Sequence, residues 1–121
     1  MKNLVVLISG QGRNLQALIE HCAAGNIPAR IAAVISNKAD ALGLLRAQQA
    51  GITAQVVPHT AYVNREAFDA ALMQAIDAHA PDMLALAGFM RILTPAFTHH
   101  YQGRALNIHP SLLPRHPGLK T

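Results

Sequence analysis

Five short apolar runs, each separated from the next by a stretch of helical periodicity, constrain this chain more than any other feature. Leu4 to Ile8, Ile31 to Ile35, Ala54 to Val57, Met83 to Leu86 and Ala105 to Ile108 have the length and near-continuous apolarity of buried strands. Between them, Asn14 to Ala24, Asp40 to Ala50 and Asn64 to Ala80 carry apolar residues at spacings of three and four, with Gly25 and Gly51 as stops. A fourth, short helix follows Thr94 as its cap, with Pro95 in the first position. Alternation of this kind implies crossovers onto a parallel sheet, so the expected fold class is α/β, a three-layer α/β/α sandwich. In a doubly wound order 3-2-1-4 the chain reverses direction between strands 1 and 4. A crevice then opens at their C-terminal ends, where such folds bind ligands.

At 121 residues, 51% of them apolar, the chain is long enough for one core and is read as one domain without repeats or linkers. A net charge of +4 without any Lys/Arg run suits an anionic small ligand or a solvated surface. With three Phe and two Tyr there is neither a basic stripe nor a set of stacking aromatics for nucleic acid. The lone Cys22 excludes an internal disulfide and reads as core packing in a reducing, cytoplasmic setting. The opening NLVVLI is short and runs straight into SGQGRN, unlike a signal peptide, and no stretch is long enough to span a bilayer. His21, His59, His79, His99, His100 and His116 show neither HExxH nor Cys/His spacing, so no metal site is expected, and His99-His100 reads as surface.

The three most unusual stretches all follow strands that end near the expected crevice. Ser9-Gly10-Gln11-Gly12-Arg13-Asn14 joins strand 1 to a helix; glycines there allow a tight turn, and free N–H groups at the helix start favour an anion, most often phosphate. The plainer reading is a tight turn capped by Asn14. A Walker A ending is absent, Leu15 stands where a dinucleotide fingerprint needs its third glycine, and strand 2 ends in Ser36-Asn37-Lys38 without an acidic ribose partner. A monophosphate ester therefore fits better than a dinucleotide.

After strand 4 come Gly88 and Met90, with Arg91 between apolar neighbours; Met90 and Ile92 form either an adaptable wall for a flat aromatic ligand or ordinary core. Arg65 lies in the first turn of its helix, where a cation meets the positive end of the dipole at a cost of roughly a few tenths of a kcal/mol. It is a ligand contact, or a solvated arginine offset by Glu66. After strand 5, Asn107 and His109 share one face by the period of two, with Leu106 and Ile108 on the other, and Pro110 ends the strand before a site loop that runs to Pro117. A carboxamide and an imidazolium both donate hydrogen bonds, so the pair can stabilise an oxyanion, and His109 can act as a general acid or base. From Met83 onward there is no Asp or Glu, so a carboxylate partner for His109 must come from elsewhere.

LAGFMRIL, then NIHPSLLP and PGL, with SGQGRN at the start, resembles the folate-dependent formyltransferases across the whole chain. Within that family the likeness is to the branch that acts on glycinamide ribonucleotide in purine synthesis. The resemblance implies a formyltransferase fold with a mostly parallel, Rossmann-like sheet, incomplete at its C-terminus, so that residues 1–121 form the N-terminal part of a single domain. It implies transfer of a formyl group from the co-substrate 10-formyltetrahydrofolate to the amine of glycinamide ribonucleotide, without metal. A formyltetrahydrofolate hydrolase, or a non-catalytic module binding a phosphorylated metabolite, are the alternatives. Carried over by position, Gly12, Arg13 and Asn14 contact the ribonucleotide phosphate, while Arg65, Met90, Arg91, Ile92, Leu93 and Asn107 contact the folate. Asn107 faces the transferring formyl group and His109 is the proton donor. The partners implied are these small molecules, with no nucleic acid and no membrane, on a cytoplasmic monomer or homodimer. Two departures stand out: Arg13 replaces a small hydroxyl residue common in the family, and the family domain continues beyond Thr121 to supply an aspartate for the histidine. These 121 residues alone are therefore expected to show little or no turnover.

Overall fold

Strand β1 (Lys2–Ile8) leads through a glycine turn into α1 (Arg13–Ala23), and β2 (Ala29–Ser36) is followed by α2 (Leu42–Gln49). Strand β3 (Thr53–Val56) passes through a 3-10 turn at His59–Ala61 into α3 (Arg65–Asp77); β4 (Met83–Leu86), α4 (Pro95–His100) and β5 (Ala105–Asn107) complete the order. The computed structural model describes residues 2–91 and 93–108. Its five strands pair in parallel in the order β3-β2-β1-β4-β5. The expected reversal between β1 and β4 is present, with β1 at the centre of the sheet.

Period-two geometry sends alternate residues of β1 into two separate cores. Leu4, Val6 and Ile8 pack with Leu15 and Leu18 of α1 and Leu44 and Ala47 of α2. Val5 and Leu7 pack with Phe68, Leu72 and Ile76 of α3 and with Phe97 and Tyr101 of α4. Both faces of the sheet are thus covered by helices, which is why its central strands carry unbroken apolar runs, Leu4 to Ile8 in β1 and Met83 to Leu86 in β4. Cys22 packs against the first core, and burial pushes its thiol above the ordinary pKa, as befits a packing residue. On the other side the Tyr101 hydroxyl donates to Asp77 Oδ1 at 2.8 Å; burial first, and this carboxylate second, raise the phenol pKa above its usual range.

Element ends depart from expectation for local reasons. Helix α3 stops at Asp77 rather than Ala80, because the residue ahead of Pro81 is barred from helical geometry and Ala80 takes a φ of 50°. Helix α2 begins at Leu42, since Ala41 is extended (φ −66°, ψ 124°) and Asp40 lies in the preceding turn. Leu106 was expected on a packing face, yet it is 49% exposed: β5 has only β4 beside it among the described residues, so only part of its surface is covered, while Ile108 is buried in the first core. Asn64 caps α3 by accepting from Ala67 N at 2.8 Å. Asn64→Ala is expected to cost about 1 kcal/mol, read as a shift in the denaturation midpoint at constant m-value.

Candidate functional site

The turn after β1 is held from outside by α2. Gly12 is left-handed (φ 78°, ψ 30°), and a Cβ there would lie 2.6 Å from the Cα of Gly43. Gly43 N donates to Gly10 O at 3.1 Å and Arg46 Nε to Gln11 O at 2.8 Å, so the turn and the start of α2 form one unit. No side chain caps α1, which leaves its first-turn N–H groups available to an anion, with Arg13 exposed beside them. Asn14, expected as a cap in the plainer reading, reaches instead across the crevice and donates through Nδ2 to Ile108 O at 3.3 Å. That bond ties the glycine turn to the end of β5.

The ladder continues past the ends of the strands on both sides of β4: Ala87 N donates to Leu7 O and Ile108 N to Leu86 O, each at 2.9 Å. Asn107, the last residue of β5, is exposed and lies opposite Leu86 in the register. His109 and Ile92 lie outside the described residues.

The stretch after β4 divides between wall and core. Met90 is 78% exposed, with its backbone N–H anchored on Ser9 Oγ at 2.8 Å, whereas Phe89 and Leu93 pack against the α3/α4 core. The Arg91 guanidinium lies 5.8 Å over the Phe68 ring, and its Nε is buried without a partner among the described residues. Arg65, exposed on the first residue of α3, and Leu93 line a cavity of about 360 Å³ between the starts of α3 and α4. Its floor includes the buried Asp69, whose Oδ2 accepts from Thr94 N at 2.7 Å.

One polar group at these strand ends was not singled out from sequence. Ser9 Oγ donates to Asn37 Oδ1 at 2.6 Å, and Asn37 Nδ2 lies 3.2 Å from His59 Nδ1. The one local signal is a small polar residue directly after each of β1 and β2, whose inner runs Leu4 to Ile8 and Ile31 to Ile35 are apolar; at Asn37 the sequence shows only the lack of an acid. Among the described residues no group of three His, Cys, Asp or Glu side chains could hold a metal ion, and no helix is long and apolar enough to cross a membrane. A separate apolar groove, also about 360 Å³, lies toward the starts of β1 and β4 beside Leu4, Leu18, Ile27, Met83 and Leu106. Its polar lining is limited to Lys2 and Asn3, so it lacks the convergent polar groups of the crevice.

Comparison with known proteins places this geometry in context. The family model described as formyl transferase matches residues 2–121. The chain is 59% identical over 119 residues to phosphoribosylglycinamide formyltransferase of Escherichia coli (strain K12), covering 98% of this chain and 56% of that protein. It is 53% identical over 121 residues to the protein of the same name from Haemophilus influenzae, covering all of this chain and 57% of the relative. Among solved structures it is similar to glycinamide ribonucleotide transformylase 1 from Symbiobacterium toebii, with a TM-score of 0.86 at 49% identity over 94% of this chain and 54% of the other. The chain thus spans about half the length of these relatives.

Proposed function

Because the chain belongs to the formyl transferase family, we propose that the protein containing it moves a formyl group from 10-formyltetrahydrofolate to the amine of glycinamide ribonucleotide, and that residues 1–121 are the N-terminal part of one domain. The observation that carries this reading is the Asn14–Ile108 hydrogen bond of 3.3 Å, which joins the anion-binding turn to the residue next to Asn107. A substrate phosphate on the turn and a reacting group at the strand end can then belong to one molecule.

The residues present fit both substrates. Uncapped N–H groups of α1 and the exposed Arg13 suit a phosphate monoester. For the folate, Met90 offers an exposed thioether surface to a flat ring, and Arg91 Nε, without a partner among the described residues, is a donor for it. Arg65, beside the cavity that Leu93 lines, supplies a cation for the carboxylate end of a folate.

Chemically, the neutral amine attacks the formyl carbon and the carbonyl oxygen takes up negative charge. The Asn107 carboxamide and the His109 imidazolium donate to that oxygen; collapse breaks the bond to the folate nitrogen, which takes a proton from His109, and the surplus proton of the attacking nitrogen returns to the imidazole, so that His109 ends as it began. The test is formyl transfer by the full-length protein with both substrates, followed as tetrahydrofolate release that depends on the ribonucleotide. Release of formate without the ribonucleotide would instead favour a hydrolase, and binding without turnover a silent module.

A further inference from the structure

A single run of polar contacts crosses four strand ends in their order in the sheet, β3, β2, β1 and β4. His59, just past β3, places Nδ1 at 3.1 Å from Asn37 O and 3.2 Å from Asn37 Nδ2. Asn37, just past β2, accepts through Oδ1 from Ser9 Oγ at 2.6 Å, and Ser9, just past β1, accepts in turn from Met90 N at 2.8 Å. Ser9 is 2% exposed and Asn37 is 1% exposed. Directions are forced: the hydroxyl has one proton, which it gives to the carboxamide oxygen, leaving a lone pair for the Met90 N–H. With its oxygen held by Ser9, the Asn37 amide turns its nitrogen toward His59. Burying the Ser9 and Asn37 side chains costs free energy unless each finds a partner, and Ser9 Oγ bonds both Asn37 Oδ1 and Met90 N, while the half-buried His59 Nδ1 meets Asn37 either as a donor to its backbone oxygen or as an acceptor from Nδ2.

Building on the folate reading of the Met90 stretch, we propose that Ser9, Asn37 and His59 are positioning residues that fix the Met90 wall relative to the glycine turn and thereby set the grip on the folate co-substrate. They act through the backbone of residue 90 and touch no reacting atom.

The test uses the full-length protein. Ser9→Ala leaves the Met90 N–H and Asn37 Oδ1 unpaired, and the KM for 10-formyltetrahydrofolate is expected to rise roughly tenfold. Over the same change, kcat and the KM for glycinamide ribonucleotide stay within about threefold, and Ser9→Thr, which keeps the hydroxyl, restores the folate KM. In the unliganded protein the Met90 amide loses hydrogen-exchange protection while the Ile108 amide, bonded to Leu86 O, keeps it. His59→Ala, at the half-buried outer end, covers the case in which Ser9→Ala does not fold; it raises the same KM about threefold. An unchanged folate KM, an equal fall in kcat, or a Met90 amide as protected as before overturns the proposal. If the unaltered protein transfers no formyl group, the proposed function fails by itself, and amide exchange still decides whether Ser9 holds the Met90 stretch.

Discussion

Asn107→Ala in the full-length protein is expected to lower kcat by about 10²-fold or more while the ribonucleotide KM stays within about threefold. In the proposed reaction the carboxamide donates most strongly once charge has developed on the formyl oxygen, so its removal is expected to raise the barrier without weakening phosphate binding at the glycine turn. Asn107 is exposed at the end of β5 in this chain, and an unchanged melting temperature of the full-length variant separates a fall in rate from unfolding. His109→Ala is expected to lose at least as much, since the proposed reaction has one residue both donate to the oxyanion and deliver the leaving-group proton. The double variant is expected to be little slower than the worse single one, because the two donors serve one transition state. Ordinary turnover in both single variants would remove the chemical role assigned to the pair.

Gly12→Ala carries the largest expected effect on folding. A left-handed residue with a side chain costs about 1–2 kcal/mol in backbone strain. The added Cβ would also sit 2.6 Å from the Gly43 Cα, a backbone atom that cannot swing aside. Together these are expected to cost about 3 kcal/mol, a fall of roughly 6–12 °C in melting temperature for a domain of about 200 residues. On the proposed reading of the turn, ribonucleotide affinity is expected to fall with it, since the turn must part from α2 and its N–H groups lose their aim. Gly10→Ala is the control: a Cβ there meets nothing within 4 Å, and the melting temperature is expected to move by no more than about 2 °C. Equal melting temperatures for the two variants would show that the close approach of Gly12 to Gly43 is unimportant.

Much of this architecture was legible in the chain because the physics that sets it is short-ranged. The side-chain period of two or of three to four, the cap at Thr94 and the stops at Gly25 and Gly51 act within a few residues, and all recur in the fold. β-α alternation with short, right-handed connections leaves more than one doubly wound strand order open, and the structure has β3-β2-β1-β4. Candidate site residues were legible for another reason: amide, imidazole, glycine and arginine at the ends of apolar strands do little for packing. Those same local rules missed the role of Asn14, which by position alone reads as a cap.

What only the tertiary structure decided are the pairings across the chain. The Ser9–Asn37, Ser9–Met90 and Asn14–Ile108 bonds join residues 28, 81 and 94 apart, and Gly12 meets Gly43 through a contact invisible to any local pattern. Whether Met90 faces outward while Phe89 and Leu93 face the core was equally open, because apolar residues in a loop have no period to sort them. Sequence by itself determined which elements form and in what order, since backbone sterics and amphipathic periodicity are properties of neighbouring residues. Only folding decided which strand ends share polar contacts, because those depend on parallel strands bringing their C-terminal ends to one edge of the sheet.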